Sequence, residues 1–361
     1  MNQFKVGVLG GSGEIAKKLC YHLNKNKIKY SISSRRKEDK TRYGLSISYF
    51  DIEDESALEK FILKNDIIVN CIGPTFVYGR FILNKVAKSK KIYIDPFGDK
   101  FILDEDVSYD SPIIISSGDC PGFAGVLCHW IKNEFFDKIN TITICYRAGG
   151  SISKSGLFDL LMSSNMRFGL LNCYYKNGLY EKSIKSEAKR FSFLLNKENY
   201  EYEYITNEMF DVANYLDVDE IHFNNMYASK EEYNGLKKIY LEIVNCSCDF
   251  KKVKTSKEFS NNLKLLNQNS DESTFYYIEG AGYKDGMSFI VNTELLCDAS
   301  SSISSYVLYK CIEQLMYLKI EKGIYRPFHI LNSKEMIMDM LNAGIIKKIY
   351  NNNNSYETGS I

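Results

Sequence analysis

The feature that most constrains the fold lies at the start of the chain. Phe4-Lys5-Val6-Gly7-Val8-Leu9 is a short, apolar, partly β-branched run that reads as a buried strand. Gly10-Gly11-Ser12-Gly13 follows, and Glu14-Ile15-Ala16-Lys17-Lys18-Leu19-Cys20 reads as the opening of a helix. To reverse this tightly, one glycine must take a backbone angle closed to other residues. A second position must be bare if the backbone is to approach a diphosphate. The helix N-terminus then offers N–H groups without intrahelical partners and a partial positive charge. Gly11-x-Gly13-x-x-Ala16 and Gly10-x-x-Gly13 both satisfy these needs, and the spacing alone does not choose between them. Gly10, Gly11, Ser12, Gly13, Glu14 and Ile15 are the expected dinucleotide contacts. The alternative is an ordinary tight turn between strand and helix.

The next segments read as further strand–helix units. Ile28 to Ser33 is a second strand, ending in Ser34-Arg35-Arg36-Lys37. At this strand end a dinucleotide-binding fold reads the adenosine ribose, and an acid there would repel a 2′-phosphate. Hydroxyls and cations stand there instead, and a phosphate monoester wants donors and positive charge. Ser34, Arg35 and Arg36, with Arg35 foremost, therefore point to NADP(H) rather than NAD(H). The alternative is a solvated basic loop.

Leu45 to Phe50 is the third strand, and Asp51 and Ile52 follow it at the adenine edge. Ser56-x-x-Glu59 has the spacing of a capping box for a helix over Ala57 to Lys64. Ile67 to Ile72 is an apolar fourth strand ending in Gly73-Pro74, so that Cys71, Gly73 and Pro74 approach the middle of a bound dinucleotide. Lys91 to Asp95 and Pro112 to Ser116 are the fifth and sixth strands, followed by Pro96-Phe97-Gly98-Asp99 and Ser117-Gly118-Asp119-Cys120-Pro121-Gly122. Six strands alternating mainly with helices describe a Rossmann-type, doubly wound parallel sheet, an α/β fold with ligands at the carboxyl ends of its strands.

From Asn140 the pattern changes. Thr141 to Tyr146 reads as a strand ending in Arg147, and Ser155 to Phe168 as a helix. Residues 170 to 235, rich in Tyr, Asn, Lys and Glu with few clear periods, are expected to include surface helices and a variable insertion, and Leu236 to Cys248 reads as a long strand. Thr274 to Gly282 and Met287 to Thr293 flank Tyr283-Lys284-Asp285-Gly286, a hairpin signal. A second α+β domain on a mixed or antiparallel sheet follows, for substrate binding and dimerisation. The expected organisation is a nucleotide domain over 1–125 joined by C-terminal helices of 300–350, a second domain over 140–298, and a flexible tail over 351–361.

Composition excludes several classes of partner. The 361 residues carry a net charge of +1, with ordinary apolar and charged fractions, so nothing points to nucleic acid or an anionic membrane surface. No apolar run reaches the roughly 20 residues that span a bilayer, and the N-terminus enters a strand directly. The ten cysteines are scattered; the close pair Cys246-x-Cys248, on one face of the expected strand, has no second pair at zinc spacing. They read as reduced thiols of a cytoplasmic protein. No metal set is visible among His22, His129, His222 and His329.

The spaced set Gly10-Gly11-Ser12-Gly13-Glu14-Ile15-Ala16, Asp51-Ile52-Glu53-Asp54, Val69-Asn70-Cys71-Ile72-Gly73-Pro74 with Tyr78-Gly79, Tyr93-Ile94-Asp95 with Gly98-Asp99, and Gly118-Asp119-Cys120-Pro121-Gly122-Phe123 resembles the saccharopine dehydrogenase family in its broad sense. The resemblance implies an NAD(P)-dependent enzyme that forms or breaks a secondary amine, linking an amino acid to a keto acid or aldehyde through an imine. The family often carries an acid just before Pro-Gly; here Cys120 holds that place and the acid is Asp119.

A carbonyl acceptor needs a proton donor, whereas an iminium already carries its proton; the sequence offers no strong acid–base constellation, which favours C=N chemistry. Tyr21-x-x-x-Lys25 and Tyr306-x-x-x-Lys310 have short-chain reductase spacing but lie at the wrong places in the chain. Asp119, Cys120 and Asp95 are the catalytic candidates, each with turn stabilisation or thiol burial as the alternative. Arg147 and Arg167 are candidates for holding a substrate carboxylate, with an ion pair or a solvated charge as the alternative. Two further functions stay open: a carbonyl or aldehyde reductase, and a non-catalytic NADP-binding sensor. The expected partner is a small amino-acid, keto-acid or imine substrate, in a homodimer.

Overall fold

The structure, a computed structural model, describes residues 4–35, 47–104, 106–164, 168–184, 188–268 and 270–351, together with the backbone of 354–357. The chain divides into two compact units, Met1–Phe123 with Ser301–Asn332, and Ala124–Ser300 with Ser333–Ile361.

The first unit is built on a seven-stranded sheet. In chain order its first six strands are β1 (Val6–Leu9), β2 (Tyr30–Ser34), β3 (Ile47–Tyr49), β4 (Ile67–Asn70), β5 (Ile92–Ile94) and β6 (Pro112–Ile114). The spatial order is β3-β2-β1-β4-β5-β6, with the strand Gly323–Tyr325 added beside β6, and every pairing is parallel. The order reverses at β1, the topological switch point at which such sheets hold ligands beyond their carboxyl ends. Helices α1 (Glu14–Lys25), α2 (Glu55–Leu63) and α3 (Thr75–Lys88) connect the strands. Burial of both sheet faces explains the uninterrupted apolar strands: Val6, Val8, Ile67, Ile68 and Val69 are fully excluded from solvent. One core cluster joins Leu9, Ile68, Tyr93 and Ile113 of the sheet region to Leu58, Phe61 and Ile62 of α2 and Ile82, Leu83 and Val86 of α3. The cap of α2 differs from the expected box. Asp54, not Ser56, accepts the Ala57 amide at 3.0 Å, because the helix starts two residues earlier.

The second unit carries an eleven-stranded mixed sheet. In chain order its strands begin β7 (Lys138–Arg147), β8 (Gly169–Leu171), β9 (Cys173–Lys176), β10 (Leu179–Lys182), β11 (Ala188–Ser192), β12 (Lys197–Thr206), β13 (Glu220–Tyr227), β14 (Thr274–Lys284) and β15 (Met287–Cys297). β13 runs parallel to β7, whereas β14 pairs antiparallel with both β7 and β15. The β14–β15 hairpin turns at Asp285-Gly286, both at positive φ, as the Asp-Gly signal requires.

Three expectations for this unit are corrected. Residues 170 to 235 do include helix, Asn207–Leu216 and the start of Lys230–Asn245, but they also carry strands β8 to β13, which were not expected. Alternating Tyr with Glu over Tyr200–Tyr204 is a strand pattern that a polar composition disguised. Leu236 to Cys248 is not a strand: Lys230–Asn245 is a helix, capped by the Ser229 hydroxyl, with Ile239 and Ile243 buried one turn apart. Cys246 and Cys248 therefore lie in the turn after it, with Ser247 and Cys248 at positive φ. Finally, Ser333–Asn342 and the strand Ile346–Asn351 belong to this unit, the latter paired with β15, rather than to the nucleotide unit; the backbone of Asn354–Glu357 pairs back on it where a flexible tail was expected.

All ten cysteines are free thiols. Among the described residues no helix is long and apolar enough to cross a membrane, and no group of three or more His, Cys, Asp or Glu is arranged to hold a metal ion.

Candidate functional site

The site starts at the end of β1. Gly10 takes φ +78°, and a Cβ there would lie 2.8 Å from the Cys71 carbonyl oxygen. Both conformation and space thus demand glycine. A Cβ on Gly11 would lie 2.9 Å from Ile32, so this glycine lets the turn pack on β2. Gly13 has extended backbone and is the N-cap of α1. The turn is closed by Gly13 N–H to the Gly10 carbonyl at 2.9 Å and tied to β2 by Gly11 N–H to the Ser33 carbonyl at 2.8 Å. Gly13 and Glu14 are exposed, Ser12 and Ile15 half-buried, and Ala16 fully buried. The start of α1 thus faces solvent with no side chain capping it, the arrangement that receives an anion. Gly10 is the strained position of the turn and Ala16 its packing position, so each of the two spacings supplies one structural residue.

Arg35 stands just beyond β2 and Asp51 just beyond β3. Arg35 is exposed, and its Nη1 lies 3.9 Å from Asp51 Oδ2. Ser34 is buried within the sheet, and its carbonyl accepts the Phe50 amide. Ile52 points into the core with Leu58 and Phe61, so Asp51 alone of this pair presents its side chain at the surface. Arg36 lies outside the described residues.

The β4 end contributes Cys71 to Pro74. The Cys71 amide bonds the Leu9 carbonyl at 3.0 Å, and its carbonyl sits against Gly10. The Gly73–Pro74 peptide is cis, and Pro74 is the N-cap of α3.

Of the catalytic candidates, Asp95 is fully buried and engaged on both oxygens. Its Oδ1 accepts the Phe97 and Gly98 amides, and its Oδ2 accepts Asn70 and Tyr93. Burial pushes its carboxyl above the ordinary range, and these bonds pull against that shift. These bonds are those of the turn-stabilising alternative. Asp119 and Cys120 occupy the turn after β6, Asp119 buried and Cys120 half-buried before a cis peptide to Pro121. That turn is fixed by Gly118 N–H to the Pro121 carbonyl and Phe123 N–H to the Gly118 carbonyl, both 3.0 Å.

In the second unit Arg147 is buried, with Nη1 2.8 Å from Asp271 Oδ2 but off the N–H direction, so charge rather than a formed hydrogen bond holds the pair. The ion-pair alternative thus describes Arg147. Arg167 lies outside the described residues.

Two clusters escaped the sequence reading. Asp99 and Arg326 form a buried pair in the first unit. His222 lies between Glu203 and Glu220 with Tyr174 stacked on its ring. Glu220-x-His222 puts two side chains on one strand face, a signal that was available. Glu203, on a neighbouring strand, left none.

No protein-family model matches the chain, and neither does any curated protein. Among solved structures the chain is similar to engineered D-amino acid dehydrogenase bound to NADP+ (11% identity, 95% of this chain and 99% of that chain, TM-score 0.47) and to C. glutamicum DAP dehydrogenase in complex with DAP (11% identity, 95% and 99%, TM-score 0.49). It is also similar to apo saccharopine dehydrogenase (L-Glu forming) from Saccharomyces cerevisiae, at 13% identity and TM-score 0.67, over 96% of this chain and 99% of that chain. That last likeness shows that the chain has the fold of saccharopine dehydrogenase.

Proposed function

We propose that the chain is an NADP(H)-dependent oxidoreductase that transfers a hydride to or from the C=N bond of an amino-acid-derived imine. The observation that carries this reading is the turn at Gly10–Gly13, at the switch point of a parallel sheet, with a solvent-facing helix start behind it. The fold shared with saccharopine dehydrogenase supports the reaction class by analogy, since fold alone does not fix chemistry. Arg35, exposed at the end of β2, supports the preference for the 2′-phosphorylated cofactor. The imine is favoured because Asp95 is committed to its own turn, and an iminium needs no proton from the protein to accept a hydride. The bound cofactor would supply the hydride; the chain's part is to hold the diphosphate on the α1 amides and the ribose phosphate on Arg35. Asp119 and Cys120 are the residues of the first unit assigned to the substrate side.

Fluorescence titration of the purified protein with NADPH and with NADH tests the cofactor assignment, and equal affinity would defeat it. An NADPH-oxidation screen of amine plus keto-acid or aldehyde pairs tests the reaction. Turnover of aldehydes without amine would favour a carbonyl reductase.

A further inference from the structure

We infer that Asn70, Tyr93 and Asp95 form a buried positioning device that sets the β4-end backbone against the glycine turn and so determines how well the dinucleotide binds. The inference rests on the dinucleotide reading and assigns these residues no contact with the ligand.

The network is complete. Asn70 Nδ2 donates to Asp95 Oδ2 at 2.8 Å and to the Tyr93 hydroxyl at 3.1 Å, and Tyr93 donates to Asp95 Oδ2 at 2.6 Å. Asn70 Oδ1 accepts the Ile72 amide at 3.1 Å. Only this orientation of the Asn70 amide serves both an acceptor-only carboxylate and a backbone donor. All three side chains are buried, at no more than 1% exposure.

Its outputs point at the cofactor site and at the adjoining turn. Ile72 and Cys71 are the residues that a Cβ on Gly10 would strike, so the Asn70–Ile72 bond fixes the wall on which the glycine turn rests. On the other side, the Asp95 carbonyl accepts the Ser117 amide at 2.8 Å, and a Cβ on Gly118 would lie 2.5 Å from the Pro96 carbonyl oxygen. The carboxylate thus joins the end of β4 to the loop after β5, and the backbone of Asp95 and Pro96 supports the loop after β6. A buried carboxylate meeting only donors specifies its neighbours' positions tightly, because any slip leaves a buried polar atom without a partner.

An exchange of the two side chains tests this. Asp95→Asn alone sets two amide donors face to face, and Asn70→Asp alone sets two carboxyl groups face to face. The double variant Asn70→Asp with Asp95→Asn restores every donor–acceptor pair with the carboxylate moved to position 70. Each single variant is expected to weaken NADPH binding about tenfold or more, in keeping with the cost of ångström-scale misplacement. The double variant is expected to return to within about threefold of wild type. Tyr93→Phe, which removes one hydroxyl and keeps the ring, gives a milder loss in the same direction if a single variant fails to fold. Asp99→Asn is the control: it breaks a buried pair in the same unit and lowers the melting temperature without changing the NADPH dissociation constant. Single variants that lose thermal stability but bind NADPH like wild type would overturn the inference, as would a double variant that regains stability without regaining affinity. Wild-type protein that binds neither NADPH nor NADH would instead remove the dinucleotide reading itself, before any variant is compared.

Discussion

Arg326 and Asp99, 227 residues apart, meet in the core of the first unit as a forked ion pair. Nη1 lies 2.7 Å from Oδ2 and Nη2 lies 3.2 Å from Oδ1, and Ser116 donates to Oδ2 at 2.8 Å. Arg326 is 2% exposed. The pair pins the returning segment Gly323–Ile330 to the loop after β5, a planar bidentate match that lysine could not reproduce.

Breaking one side of this pair leaves a buried charge without a partner. Arg326→Met is expected to destabilise the protein by about 3–5 kcal/mol. Burial alone would push the Asp99 carboxyl up, but the Arg326 guanidinium and the surrounding donors hold it below the ordinary carboxylate range. A depressed folded pKa contributes stability above the unfolded value, and that contribution fades as pH falls through the folded pKa. Wild type should therefore lose stability steeply below about pH 4, the unfolded Asp range, and Arg326→Met should show a shallower acid limb in urea titrations. Parallel acid limbs would contradict this.

His222 has the opposite linkage. Burial pulls its pKa down, but Glu203 on Nδ1 and Glu220 on Nε2, the latter at 2.7 Å, outweigh burial and raise it. Both ring nitrogens can donate only when the ring is charged. A raised folded pKa gives stability that is fully present below about pH 6.5 and disappears as pH rises through the folded value. His222→Gln should accordingly cost more stability at pH 6 than at pH 9, read by urea denaturation. Equal losses at the two pH values would contradict the clamp.

The first unit was legible in the sequence because its information is local. Gly10 announces itself by its place between Leu9 and Glu14, and the buried parallel strands by their apolar runs. In the second unit, strands such as Lys197–Thr206 alternate Tyr with Glu, and buried charges such as Glu294 and Arg147 have partners far along the chain. Glu294 takes the amides of Phe193 and Leu194, and Arg147 meets Asp271. No window of sequence contains those partners, so the segment read as polar surface. Asp95 was legible in part. Its Asx-turn bonds were readable from Asp95-Pro96-Phe97-Gly98, and Tyr93 shares its strand face, but Asn70 on the neighbouring strand left no local signal.

The buried thiols should be chemically silent. Burial pushes Cys20 and Cys311 up to about 12 and raises Cys128 as well. The thiolate is the reactive form, so at pH 8 these three should resist a brief iodoacetamide pulse that modifies the partly exposed Cys246 and Cys248. Peptide mass spectrometry reads the difference. Modification of Cys20 or Cys311 in folded protein at a rate like that of Cys246 would show that this core opens.

Arg35 decides the cofactor prediction. Its guanidinium is exposed and lies 3.9 Å from Asp51, so the carboxylate steers it over the end of β2 without a formed hydrogen bond. A 2′-phosphate arriving there would add charge-assisted hydrogen bonds, each contributing about 1.5–3 kcal/mol. Arg35→Ala should therefore weaken NADPH binding by about tenfold or more while leaving NADH within about twofold. Because surface charge is screened, the wild-type preference for NADPH should narrow between low and high salt, and the Arg35→Ala preference should not. Titrations of both cofactors at two ionic strengths measure all four quantities. If Arg35→Ala weakens both cofactors equally, Arg35 supports the fold of the loop rather than reading the ribose phosphate.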